Sequence, residues 1–227
     1  STLAAEGNYA ELRRVLVTSL RSILFLGLPA TAGLILLALP LIELLFERGE
    51  FTAQDTTWVA WALVFYALSL VALASLEVVA RTFYALSDTV TPVVAGVLQL
   101  PLMAGLGGFF AYWVFPALGW LSFGGLALGF SLSNMLEVGA LLFLLRRRLG
   151  GIHGRVLWDG TWRMGAATLA MGGIVYASLQ LLLGTPILVQ VVVSTAVGGL
   201  AYALATYALK VEEFQQILAL VRRQLRR

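Results

Sequence analysis

Six apolar segments dominate the chain, each near or above the roughly 20 residues that a helix needs to cross a hydrocarbon core about 30 Å thick. They run over residues 22–46, 56–80, 92–115, 123–145, 164–183 and 187–209. Threading the chain through a bilayer in that order puts fourteen of the fifteen Lys and Arg residues on one side and only Arg48 on the other. The basic side holds Arg13, Arg14 and Arg21, then Arg81, then Arg146, Arg147, Arg148, Arg155 and Arg163, and finally Lys210, Arg222, Arg223, Arg226 and Arg227. Because basic loops stay cytoplasmic, this asymmetry predicts an all-α integral membrane protein with both ends of the chain cytoplasmic.

Composition leaves little room for anything else. With 60% hydrophobic and 12% charged residues the chain has too little polar surface for a soluble globule. Its net charge of +3 sits beside the spans, where anionic phospholipid headgroups are the expected partner rather than nucleic acid. The absence of cysteine excludes disulfides and thiol chemistry. His153, the one histidine, reads as a solvated loop residue. No phosphate-binding loop, zinc-binding helix or nucleophile elbow occurs, so no enzyme, cofactor or metal site is expected. The opening Ser-Thr-Leu-Ala carries no signal-peptide pattern and reads as a polar, Arg-bearing approach to a membrane helix, as in the interior of a longer protein.

The connections have readable chemistry. Gly49 is placed to end the first span in a left-handed conformation, and Thr52 with Asp55 forms a capping pair for the second. Ser87-Asp88-Thr89 favours a turn, with Thr91 as N-cap and Pro92 as the first helical residue of the third span. The polar stretch 146–163 divides four spans (residues 1–150) from two spans and a tail (residues 151–227). Apolar residues at helical spacing after Leu209 predict an interfacial helix on the membrane surface.

Ionisable groups inside spans are informative because each costs about 2.5–3.5 kcal/mol at mid-bilayer. Glu77 and Arg81 share a helix face, either as an end-of-helix pair whose Arg snorkels or as residues of a substrate cavity. Glu137, with Asn134 three residues before it, is expected to face inward, whereas Glu43 reads as interfacial. Pro29 and Pro40 are expected to interrupt the first span and Pro101 the third. The small pairs Gly125/Gly129, Ala166/Ala170 and Gly199/Ala203 are expected to permit close helix packing.

Two stretches are more specific: Leu45-Phe46-Glu47-Arg48-Gly49-Glu50-Phe51-Thr52, and Ala80-Arg81-Thr82-Phe83-Tyr84-Ala85-Leu86-Ser87-Asp88-Thr89-Val90-Thr91-Pro92. Together with the opening Ala-Ala-Glu-Gly and the run from Leu145 to Gly151, they resemble the MurJ (MviN) lipid II flippase family. The resemblance implies the last six helices of a fourteen-helix flippase that exports an undecaprenyl-pyrophosphate-linked peptidoglycan precursor across the bacterial inner membrane by alternating access. It implies an N-terminal lobe as partner. The first four spans would then belong to the C-terminal lobe and the last two to a groove for the lipid tail. Glu77, Arg81, Asn134 and Glu137 are the candidate substrate or cavity residues, while Arg48, Gly49, Tyr84, Asp88, Thr89, Thr91 and Pro92 are motif and turn residues. Many members place Asn and then Asn or Asp in the third of these helices, where some bind sodium; Met103 and Gly107 stand there, which speaks against such a site. The Arg-x-Phe-Tyr-Ala-Leu run argues against an exporter of other lipid-linked oligosaccharides or drugs, and a non-transporting scaffold is the alternative from another class.

Overall fold

The computed structural model describes residues 9–151, 154–215 and 218. The first helix, α1 (Tyr9–Leu36), begins well before the expected first span and is followed after Leu37 by α2 (Ala38–Phe46). The reason is amphipathic spacing: Leu12, Leu16 and Leu20 recur every four residues and are buried against Val79, Phe83, Leu141 and Leu145. What reads in sequence as a polar approach is therefore a packed helix. The second span is α3 (Ala53–Ala67) and α4 (Leu70–Ala85). The third is α5 (Val90–Phe109), a π-helical turn (Phe110–Val114) and α6 (Phe115–Ala117). The last three are α7 (Ser122–Arg148), α8 (Gly154–Leu181) and α9 (Ile187–Ala208). All six units contain helix long and apolar enough to cross a membrane.

The proline expectations need correction. Pro29 lies inside α1 and Pro101 inside α5 without a break. Only Pro40 marks one, because its missing N–H cannot serve the carbonyl of Leu36. Even there the chain stays nearly helical, with Leu37 N–H donating to Gly33 O at 2.9 Å and Leu41 N–H to Leu37 O at 2.8 Å. The third span is disturbed instead by its π-helical turn, directly beyond Gly107 and Gly108.

That turn lies where α5 and α7 touch backbone to backbone. A Cβ on Gly129 would stand 2.3 Å from Gly107 N, and one on Gly125 would stand 2.5 Å from Ala111 N. The close approach expected of this pair is thus present. On α9 the contact belongs to Gly198, whose Cβ would meet Val175 at 2.6 Å, while Gly199 faces open space. One residue turns the helix face by about 100°, so the expected Gly199 contact is displaced by that rotation.

Long-range bonds gather the basic helix ends at one end of the bundle. Arg13 on α1 donates to the carbonyl of Leu149 after α7, Arg148 pairs with Asp88, and Arg163 on α8 donates to Leu209 O at 3.3 Å. Arg21 on α1 bridges to Glu212 and Glu213 beyond α9. At the opposite end Trp58 meets Phe123, and Trp61 meets Trp120. A second core joins α1 to the last two helices through Phe25, Met164, Ala167, Met171, Val175 and Tyr202, with the Tyr202 hydroxyl donating to Phe25 O at 2.7 Å. Of the expected tail helix, Glu212–Gln215 are helical and Phe214 packs on this core. Beyond Gln215 the tail lies, apart from Leu218, outside the described residues, as does His153.

Candidate substrate-facing site

The turn between α4 and α5 is the most tightly specified piece of the basic end. The α4 carbonyls are closed by Ser87 N–H donating to Tyr84 O and Asp88 N–H donating to Phe83 O, both at 3.0 Å. That pattern needs a left-handed residue after the C-cap, normally Gly, yet here Ser87 adopts φ +59°. The Asp88 carboxylate then accepts from the backbone N–H groups of Val90 at 3.1 Å and Thr91 at 2.9 Å, and from the Thr91 hydroxyl at 2.6 Å. Asp88 rather than Thr91 is therefore the capping side chain. The N-cap position falls on Thr89, and Pro92 sits in the first turn of α5 rather than opening it. The bonds from Thr91, with Arg148 adding attraction, hold the Asp88 carboxyl below the usual carboxylate range. Arg148, whose guanidinium also lies 5.6 Å from the Phe83 ring centre, ties the end of α7 to this turn. The sequence does not reveal that role, because Arg148 sits in a run of three arginines whose shared charge bears on topology as a block.

At the other end of the bundle Thr52 and Asp55 form the expected capping box of α3. Arg48 donates to Leu45 O at 3.0 Å and Leu44 O at 3.4 Å, covering the last carbonyls of α2. Gly49 is left-handed at φ +63°, but two residues beyond the C-cap Glu47, so it shapes the loop rather than ending the helix.

Of the four candidate substrate or cavity residues, Glu77 and Arg81 form an ion pair one helical turn apart on the open face of α4, with about two thirds of each side chain or more exposed. Arg81 donates to Glu77 from Nη2 alone, which leaves its other N–H groups available to an oxyanion. Tyr84 is exposed three residues further on. Asn134 is buried, and its amide donates to Phe130 O of its own helix at 2.8 Å. Glu137 instead lines a groove of about 570 Å³ between α5 and α7, shared with Thr91, Leu98, Gln99 and Leu136. The structure thus brings Glu77 together with Arg81 but leaves Asn134 and Glu137 in different surroundings.

A second groove, of about 680 Å³, runs between α1 and the last two helices. Its walls are Pro29, Gly33, Met171, Val175, Gly198 and Tyr202 among others, and they are almost wholly apolar. Gly33 and Gly199 have open space where a side chain would stand, which keeps the groove wide.

A family model described as lipid II flippase MurJ matches residues 1–208. The chain belongs to the MurJ family. The probable lipid II flippase MurJ of Vibrio cholerae is 33% identical over 158 residues, covering 69% of this chain and 27% of that protein. The corresponding protein of Rhizobium tropici is 30% identical over 174 residues, covering 74% of this chain and 30% of its own length. A solved lipid II flippase MurJ in an inward closed conformation superposes with a TM-score of 0.71 over 90% of this chain and 40% of that one, at 21% identity, which shows a common fold. The chain therefore spans less than half the length of the MurJ proteins it matches. With six membrane-capable helices and a MurJ family match, it is a multi-pass membrane protein.

Proposed function

We propose that this chain is the C-terminal part of a flippase that carries the lipid-linked peptidoglycan precursor lipid II across the bacterial inner membrane by alternating access. The MurJ family match over residues 1–208 is the observation that carries the reading. Residues 1–150 contribute four helices to the second lobe, and residues 151–227 contribute two helices and a cytoplasmic tail. Both ends of the chain lie in the cytoplasm, where its arginines meet anionic phospholipid. The lobe that completes the transport path comes from the rest of the protein, since alternating access needs two bundles rocking about a site between them.

Within that assignment the apolar groove between α1, α8 and α9 suits an undecaprenyl chain, because its lining offers an extended hydrocarbon surface with few polar groups. Arg81 serves the pyrophosphate at the inner mouth. A guanidinium matches phosphate oxygens in two-point geometry, and Glu77 holds it in position when no substrate is present. The test uses the full-length protein in cells depleted of their own flippase. Arg81→Ala is expected to abolish complementation while the protein stays in the membrane at its normal level. Full complementation would return the pair to an end-of-helix ion pair.

A further inference from the structure

Beside the turn that ends α9 lies a pocket of about 210 Å³ that the substrate reading does not use. Its walls are Arg21 from α1, Asp159, Gly160 and Arg163 from α8, and Lys210 and Glu212 from the residues after α9. Arg21 can cross against α8 because Gly160 has no side chain; a Cβ there would stand 3.3 Å from Arg21 Nε and 3.4 Å from Nη2. The guanidinium is shared by two carboxylates of unequal standing. Glu213 holds Nε from a side chain only 12% exposed, whereas Glu212 rests on Nη2 at 2.9 Å from a side chain 69% exposed. Arg163 uses one N–H group on the Leu209 carbonyl, and among the described residues no hydrogen bond or ion pair reaches the Lys210 ammonium. Lys210 itself is left-handed at φ +52°, in a turn closed by its N–H donating to Tyr207 O at 3.1 Å and by Val211 N–H donating to Thr206 O at 3.0 Å. Glycine closes such a turn at lower cost, so nothing in the backbone calls for a lysine there.

We propose that this pocket is a docking seat for the diphosphate of the polyprenyl-linked substrate at the inner leaflet, filled before the lipid enters the transport path, and that Glu212 holds the place of the phosphate when the seat is empty. The inference rests on the proposed function and extends it to a site separate from Arg81, since α4 contributes nothing to this pocket. Arg163 and Lys210 offer free donors to phosphate oxygens, and Arg21 adds its Nη2 once the exposed Glu212 swings away. Trp158 and Trp162, exposed on α8 beside Asp159 and Arg163, set the pocket at headgroup depth, where a lipid rather than a free anion presents its phosphate. The elements that wall the pocket also wall the apolar groove. Pro29, Met171 and Tyr202 of the groove each stand eight residues from Arg21, Arg163 and Lys210 of the pocket. At 1.5 Å per residue the groove therefore begins about 12 Å further along α1 and α8. A single long prenyl chain suits that arrangement better than the paired acyl chains of a phospholipid.

The test is equilibrium binding of radiolabelled undecaprenyl diphosphate to the full-length protein in detergent micelles. Wild-type binding should divide into an Arg81-dependent part and a part removed by Arg163→Gln with Lys210→Gly, which should weaken the seat about tenfold or more. Lys210→Gly alone should unfold at or above the wild-type midpoint, so its loss of binding cannot be ascribed to a broken turn. Glu212→Gln should tighten the seat several-fold by removing the competing carboxylate, and weaker binding in that variant would overturn the proposal. Wild-type binding retained by the Arg163→Gln, Lys210→Gly protein would overturn the seat and leave the transport reading standing. Loss of that part alone, with Arg81→Ala binding like wild type, would support the seat and count against the role given to Arg81. Absence of binding to any form of the protein would overturn both. Displacement from the seat by inorganic pyrophosphate or by phosphatidylglycerol at equal concentration would mean a general anion or phospholipid site, and also overturns it.

Discussion

Replacing Gly129 by Ala adds a single methyl group and should still loosen the bundle. The new Cβ would lie 2.3 Å from Gly107 N and 2.4 Å from Gly107 Cα, where ordinary contact begins at 3.4 Å. Both clashing atoms belong to the backbone of α5, so no rotamer change relieves them, and the two helices must separate by about 1 Å. Overpacking of this kind costs about 1–3 kcal/mol, and the better helix propensity of Ala returns about 1 kcal/mol. The net expectation is a loss of about 1 kcal/mol, the middle of a range of roughly 0–2. Gly139 lies on the same helix with nothing within 4 Å of its would-be Cβ, and Gly139→Ala should be neutral or stabilising by up to about 1 kcal/mol. Both variants can be followed by reversible unfolding in mixed micelles, with midpoints compared at constant detergent composition. Equal midpoints for the two variants would refute the backbone contact between α5 and α7.

Three further outcomes are expected. The bonds that hold the Asp88 carboxyl below the usual carboxylate range stabilise the α4–α5 turn fully above the ordinary carboxylate pKa and fade as pH falls through the lowered folded value. A pH series of unfolding midpoints should show this fall in the wild type and its weakening in Asp88→Asn. Ser87→Gly should stabilise by about 1 kcal/mol by removing the cost of a left-handed non-glycine residue, read from the same midpoints. Single cysteines at Glu50 and His153, in a chain with no native cysteine, should label from outside and from inside respectively with an impermeant thiol reagent; labelling of both from one side would break the six-span topology.

Much of the fold was legible because membrane crossing and capping are local problems. Apolar length marked six spans, Thr52 and Asp55 announced the box that opens α3, and Gly125 with Gly129 marked the closest helix contact. What the sequence concealed is mostly long-range or dependent on helix rotation. Arg21 meets Glu213 across 192 positions, and Arg148 reaches Asp88 only because α7 ends beside the α4–α5 turn. No spacing rule joins such residues. Pro92, as a residue that commonly opens a helix, points to Thr91 as the cap of α5, but the Asp88 side chain reaches two N–H groups at once and moves the start to Val90. Pro29 and Pro101 look like breaks in the sequence, yet helices in a bundle tolerate proline when neighbouring groups satisfy the freed carbonyl. Within the candidate site, the Glu77–Arg81 pair followed from helical periodicity, whereas the separation of Asn134 from Glu137 depended on how α7 is rotated against α5.

The most direct test of the account is lipid II exposure on the outer leaflet of flippase-depleted cells, measured for the full-length protein and for this 227-residue segment expressed alone. Restored exposure with the full-length protein, and none with the segment despite normal insertion, is the expected result, because one lobe cannot alternate access by itself. Exposure restored by the segment alone, or no exposure from a normally inserted full-length protein, would contradict it.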